Sequence, residues 1–153
     1  MNFDEIKKVA DDVPESGFTA LEIDVDIDAY GYRDLLEKQA VNIIMPDIPR
    51  CGGLSECRKI ANMAEIHYIP FGPHNVSSPL GTLASAHVCT TVPNFLVLEF
   101  HWPHRNYWTT IIQEKTDMTK DGFIHLDGKP GIGVEIDEEV GRKYQFPGTT
   151  WFE

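Results

Sequence analysis

The stretch that decides the fold is residues 41–75, VNIIMPDIPRCGGLSECRKIANMAEIHYIPFGPHN. An apolar run ends in Asp47, an amphipathic segment follows, and a second apolar run ends in His74. That order predicts strand, helix and strand. A strand that returns parallel to its neighbour needs a crossover of about a dozen residues or more, and Leu54–Ile66 supplies one. Asp47 and His74 are therefore expected at the same edge of one parallel sheet. In open and closed parallel sheets alike, the carboxyl edge of the strands is where ligands bind.

Within the crossover helix, Leu54, Cys57, Ile60, Ala61 and Ala64 form an apolar stripe, with Arg58, Lys59 and Glu65 in water. Gly52 and Gly53 allow a tight turn before it; presenting free amides to an anion is the less favoured reading. Upstream, residues 32–40 read as a short helix burying Leu35 and Leu36 and feeding a strand over 41–46. Asn2 and Glu5 form a capping-box pattern for a helix over 3–13, ended by Pro14 and Gly17. Residues 18–26 alternate as a strand with Leu21, Ile23 and Val25 on one face. Glu22, Asp24, Asp26 and Asp28 lie on the other, where a solvated strand end is favoured over a metal site.

Downstream, Ser78 can cap a helix that has Pro79 at its first position, and Gly81, Ala84 and Ala86 let that helix approach a sheet closely. A short apolar run, FLVLE at 95–99, again ends in an acid. Asp47, His74 and Glu99 thus follow three successive predicted strands at a β/α repeat interval, which puts three ionisable groups on one rim. In HWPHRNYWTT, His101 and His104 are spaced as metal ligands can be, but Pro103 between them favours a packing loop. Residues 123–136, FIHLDGKPGIGVEI, carry an Asp-Gly turn signal and read as a β-hairpin or extended arm. Pro147 and Gly148 mark surface coil.

Composition narrows the function classes. The 153 residues suit one domain with an ordinary core. With 24 acidic against 13 basic residues the formal charge is −11, which argues against nucleic acid and anionic membrane surfaces as partners. Cys51, Cys57 and Cys89 cannot all pair and show no C-x-x-C spacing, which points to free thiols in a reducing, cytoplasmic setting. Cys57 falls on the core face. No apolar run is long enough to span a membrane, and the amino terminus does not read as an export signal.

Taken together, PDIPRCGGLSECRKIANMAE, IPFGPHN, FLVLEF and DGKPGIGVEID resemble the carboxyl-terminal part of the enolase superfamily, in the mandelate racemase/muconate lactonizing enzyme group that includes acid-sugar dehydratases. The resemblance covers roughly residues 31–140. It implies an α/β fold, a partial (β/α) barrel of parallel strands and crossover helices with a carboxyl-terminal hairpin or arm. It divides the chain into 1–30, an early barrel unit; 31–118, the carboxyl-terminal barrel units; and 119–153, the return to a capping domain. It makes Asp47 and His74 a catalytic dyad and Glu99 the acid that follows, in a magnesium-dependent lyase acting on a sugar acid, or a racemase. GFTALEIDVD matches a strand that often ends in a Lys-x-Lys base motif, but Glu22 and Asp24 occupy those positions. The family's three magnesium carboxylates belong on strands that would fall between Asp28 and Tyr32, so magnesium is not expected to be bound specifically by this chain. A complete barrel needs about 200–250 residues. An internally shortened member, weakly active or inactive alone, is the expectation.

The chemistry follows from the residues as well. A neutral rim histidine can take a proton from carbon when a carboxylate fixes its tautomer and stabilises the imidazolium. His74 and Asp47 fit those roles. The enediolate formed beside a carboxylate needs strong positive charge, and a protonated Glu99 would add one hydrogen bond, worth about 3–4 kcal/mol. Two other readings stand beside the dehydratase: a non-catalytic remnant or interaction module, and a small flavodoxin-like domain with a phosphate site at Gly52 and Gly53. The sheet is expected to have parallel strands near 19–25, 41–46, 68–72 and 95–99, with open edges that favour self-association.

Overall fold

The computed structural model describes residues 20–22, 28–101, 105–115 and 117–151. The expected helix over 3–13 and the carboxylates Asp24 and Asp26 lie outside them, as does the side chain of Glu22. Strand β1, Ala20–Glu22, runs parallel to β2, Ile43–Met45, with Leu21 opposite Ile44. Two further parallel pairings extend the sheet, Ile44 with Phe71 and Phe71 with Phe95. Four parallel segments therefore lie side by side in chain order.

The strands expected at 68–72 and 95–99 are each reduced to a single bridging residue. Prolines explain this: Pro70 and Pro73 flank Phe71 and have no N–H to contribute to a ladder. The two bridges are made by Ile44 N–H to Pro70 O at 3.1 Å, Gly72 N–H to Ile44 O at 3.0 Å, Phe71 N–H to Asn94 O at 2.9 Å and Leu96 N–H to Phe71 O at 2.8 Å.

Helix α1, Ala29–Glu37, begins before the expected 32–40 because the Asp28 carboxylate accepts from the Tyr30 and Gly31 N–H groups. Helix α2 spans Leu54–Ile66, as its periodicity predicts, although Leu54 is 44% exposed and not part of the buried stripe. Gly52 and Gly53 precede it with φ of 105° and 93°, a backbone region that side chains disfavour. Helix α3, Pro79–Cys89, is capped by Ser78 Oγ, which accepts from Gly81 N–H. A Cβ on Gly81 would stand 1.9 Å from Ser77 Oγ, so only glycine lets the chain after His74 fold back on α3 this closely.

These three helices share one core with the sheet. Leu35 and Leu36 from α1, Ile60 and Ala61 from α2, and Val88 and Cys89 from α3 cluster with Ile44 and Phe71. Phe71 is fully buried, and a side chain of that size contributes roughly 1.5–3 kcal/mol by leaving water.

The remainder differs from expectation in three places. The packing loop expected around residues 101–110 gives way to helix α4, Arg105–Ile111, which starts just beyond Pro103. The hairpin is β3, Thr119–Lys120, with β4, Phe123–Ile124, joined by Asp121-Gly122 rather than by Asp127-Gly128. Asp121 and Gly122 have φ of 53° and 81°, the paired positive values of a two-residue hairpin turn. Helix α5, Glu138–Lys143, follows Asp137, whose carboxylate accepts from Val140 N–H. It places Glu138 and Glu139 in its first turn and Arg142 and Lys143 in its last, complementing the helix dipole.

Candidate functional site

Asp47 stands two residues beyond β2, where the chain turns toward α2. The turn is closed by Cys51 N–H donating to Asp47 O at 2.8 Å and Gly53 N–H donating to Ile48 O at 2.9 Å. Asp47 Oδ1 accepts from Arg50 N–H at 3.1 Å, and the Arg50 guanidinium Nε is 4.0 Å from Oδ2. The carboxylate is buried and fixed by its own loop. His74 stands at the corresponding edge, three residues beyond the Phe71 bridge, and is equally buried. Its Nδ1 is 2.8 Å from Asp47 Oδ2. A carboxylate oxygen only accepts, so this contact places the proton on Nδ1 and makes Nε2 the basic nitrogen of the ring.

Nε2 faces Glu99, whose Oε2 is 3.8 Å away. Glu99 is about one-third exposed and anchored by Asn75, whose backbone N–H donates to Oε2 at 2.8 Å and whose Nδ2 donates to the Glu99 carbonyl at 3.0 Å. Asn75 is itself buried and bonded through Nδ2 to Thr82 Oγ1 of α3 at 3.0 Å. All three residues expected on one rim are therefore together, in the order Asp47, His74, Glu99. The anchors Asn75 and Thr82 were not singled out from sequence; the only signal was the polar Asn immediately after His74.

Beneath the Asp47 turn lie Cys51, Cys57 and Tyr32, all buried. The Cys51 thiol is held below its ordinary range by a hydrogen bond with Cys57, and Cys57 is pushed up by the same contact and by burial. Burial also pushes the Tyr32 hydroxyl up, followed by the charges of Cys51, Cys57 and Asp47. All three cysteines are free.

The donor set does not suit a divalent cation. Asp47 is committed to His74 and Arg50, Glu99 Oε2 to Asn75, and Asp28 to the start of α1. Among the described residues, no three His, Cys, Asp or Glu side chains converge as metal ligands. These residues do not fit the octahedral oxygen set that magnesium requires. His104, which shares a metal-ligand spacing with His101 in the sequence, lies outside the described residues. Among the described residues, no helix is long and apolar enough to cross a membrane.

A helix-backed parallel sheet carries an acid, a histidine and an acid on successive strand ends, which makes this an α/β unit. The chain belongs to the enolase C-terminal domain-like family, whose model matches residues 7–140. It is 44% identical over 124 residues to a D-xylonate dehydratase of Haloferax volcanii, covering 81% of this chain and 30% of the relative. A D-galactonate dehydratase of Variovorax paradoxus is 34% identical, with 72% of this chain and 30% of the relative covered. Among solved structures, a mandelate racemase/muconate lactonizing enzyme-like protein from Rubrobacter xylanophilus superposes with a TM-score of 0.83 at 38% identity, covering 99% of this chain and 38% of that one. An enolase superfamily member from Salmonella Typhimurium gives a TM-score of 0.81 at 30% identity, covering 94% and 36%. The chain thus spans about a third of the length of these relatives.

Proposed function

We propose that this chain is an acid-sugar dehydratase-like unit of the partial (β/α) barrel type, working in the cytoplasm on a small sugar acid. His74 Nε2 takes the proton from the carbon next to the substrate carboxylate. Asp47 keeps the Nδ1 proton in place and stabilises the imidazolium. Glu99 is the electrophilic partner, placed toward the developing oxyanion or the leaving hydroxyl. The observation that carries this reading is His74 held by Asp47 on one ring nitrogen and facing Glu99 with the other. The names of the relatives support the substrate class and favour dehydration over racemisation.

The same residues limit the rate. The enediolate carries two negative charges beside the buried Asp47 carboxylate. Without strong charge stabilisation, several kcal/mol of barrier remain, so roughly two to four powers of ten in rate are lost with a sound dyad. The chain alone is expected to be weakly active.

The test is deuterium exchange at the substrate α-carbon, followed by NMR across a panel of acid sugars, with product formation assayed in parallel. Exchange without appreciable dehydration, lost in His74→Asn, is the expected result. Exchange that persists unchanged in His74→Asn would remove His74 as the base, and turnover near 1 per second by the isolated chain would refute the rate limit.

A further inference from the structure

Thr82 lies inside α3 and is fully buried, as is Asn75, which it touches. A buried hydroxyl or amide costs free energy unless it is hydrogen-bonded. Within a helix the local partner for such a hydroxyl is the carbonyl one turn back, and Ser85 of the same helix takes it, with Oγ donating to Gly81 O at 2.8 Å. Thr82 does otherwise. Its Oγ1 accepts from Asn75 Nδ2 at 3.0 Å and donates to Asn75 Oδ1 at 3.3 Å, so the whole hydroxyl is spent on one amide outside the helix.

Asn75 in turn divides its donors. Leu96 N–H and Glu99 N–H donate to Phe71 O and Pro73 O at 2.8 and 3.4 Å, so the chain reaching Glu99 runs beside the chain reaching Asn75. A continued parallel ladder would direct the main-chain N–H of Asn75 to a carbonyl of that neighbour. Instead Asn75 Nδ2 donates to the Glu99 carbonyl at 3.0 Å, and the main-chain N–H donates to Glu99 Oε2 at 2.8 Å. The side-chain amide has taken over a ladder bond, and the N–H it replaces is turned onto the carboxylate. Only one orientation of the amide allows this, because a flipped Oδ1 would face the Glu99 carbonyl, acceptor against acceptor.

We propose that Thr82 is a positioning residue of this site: its hydroxyl anchors the Asn75 amide to α3, and the anchored Asn75 keeps Glu99 Oε2 3.8 Å from His74 Nε2. The proposal rests on the dehydratase reading for what Glu99 does, and on the hydrogen bonds alone for how Glu99 is placed. Asp47 faces Nδ1 with the Arg50 guanidinium behind it, and Glu99 faces Nε2, so the ring has a carboxylate at each nitrogen. The Asp47 side is held by its own loop. The Glu99 side depends on a helix that touches neither His74 nor Glu99 through Thr82 itself. Without the hydroxyl the amide loses one of its two fixed points, its bond to the Glu99 carbonyl slackens, and the carboxylate is no longer fixed against the ring.

The test is a double-mutant comparison on the full chain, read on the His74 ring rather than on turnover. At fixed pH, Glu99→Gln changes the group beside Nε2 and should move the Nε2 resonance in nitrogen NMR. In a Thr82→Val background the same replacement should move it by about half as much or less, because the charge removed no longer sits at a fixed distance. Thr82→Ser, which keeps the hydroxyl, should restore the full response. Thr82→Ala removes the hydroxyl with a strong helix former and repeats the comparison should valine disturb the packing. Measured on the same chains, α-proton exchange at saturating substrate should fall roughly tenfold to a hundredfold in Thr82→Val, with little change in KM and none of the loss in Thr82→Ser. An equal Nε2 response with and without the hydroxyl, a Thr82→Ser chain that behaves as Thr82→Val, or no response to Glu99→Gln in the wild-type background would each overturn the proposal. The predicted Nε2 responses in a chain that exchanges no α-proton would support the positioning and refute the dehydratase reading.

Discussion

His74 and Asp47, 27 residues apart in the chain, meet Nδ1 to Oδ2 at 2.8 Å with both side chains buried. The second carboxylate oxygen, Oδ1, is held by Arg50 N–H. In Asp47→Asn the side-chain oxygen must stay toward that N–H, so the amide NH2 faces His74 Nδ1 and donates to it. The imidazole proton then moves to Nε2. Nitrogen NMR of the ring should report the tautomer reversal, and α-proton exchange should fall by about 10²–10⁴.

Asn75 links His74's loop to α3 and to the backbone of Glu99. Asn75→Ala leaves Thr82 Oγ1 and the Glu99 carbonyl without their donor and should cost about 1–3 kcal/mol in denaturant unfolding. The melt should stay cooperative, because the backbone N–H of residue 75 still holds Glu99 Oε2.

Phe71 makes both of the outer sheet pairings and is fully buried. Phe71→Ala opens a cavity between β2 and the chain at Phe95, with an expected loss of about 3–5 kcal/mol. Phe71→Leu should cost less, and the difference between the two midpoints in urea measures the ring's share.

Acid should loosen α5. The Asp137 carboxyl lies below the usual range, chiefly because Lys115 hydrogen-bonds it at 2.6 Å and then because Val140 N–H donates to it. A depressed folded value means that its stabilisation is complete above the ordinary aspartate pKa and is lost as pH falls through the folded one. Trp151 packs on Gly141 and lies 4.9 Å from the Arg142 guanidinium, so its fluorescence reports on α5. The acid transition should flatten in Asp137→Asn.

The thiols should react in a fixed order. Cys51 is lowered by its bond with Cys57, Cys57 is raised, and burial pushes Cys89 up to about 12. Iodoacetamide at neutral pH should label Cys51 slowly and leave the other two until denaturant is added, as peptide mapping would show. Early labelling of Cys89 would contradict its burial.

The residues that were legible in sequence are those whose signal is local and periodic. Helix α2 matches its apolar stripe except at Leu54, where the tight Gly-Gly entry leaves the first turn in water. The rim of Asp47, His74 and Glu99 was legible because each follows an apolar run at a repeat spacing. What sequence did not reveal depends on competition between similar signals. Two Asp-Gly pairs lie six residues apart, and only the one at Asp121 has pairing partners of matching register on both sides. Helix α5 is a six-residue helix set by Asp137 and by packing on Trp151, too brief to show periodicity. The apolar runs at 68–72 and 95–99 read as strands, but Pro70 and Pro73 remove the donors that a continuous ladder needs.

Because the order of the sheet follows the order of the chain, each new segment docks on one already made. During synthesis β2 can pair with β1 as soon as it leaves the ribosome, and Phe71 can join once α2 has emerged, with no wait for residues at the far end. Growth of this kind keeps loop closure short and the waiting hydrophobic surface small. The last edge added, at Phe95, is the one that remains apolar and open, so the exposure that makes the chain prone to association arises late, after the Asp47–His74 pair has already formed.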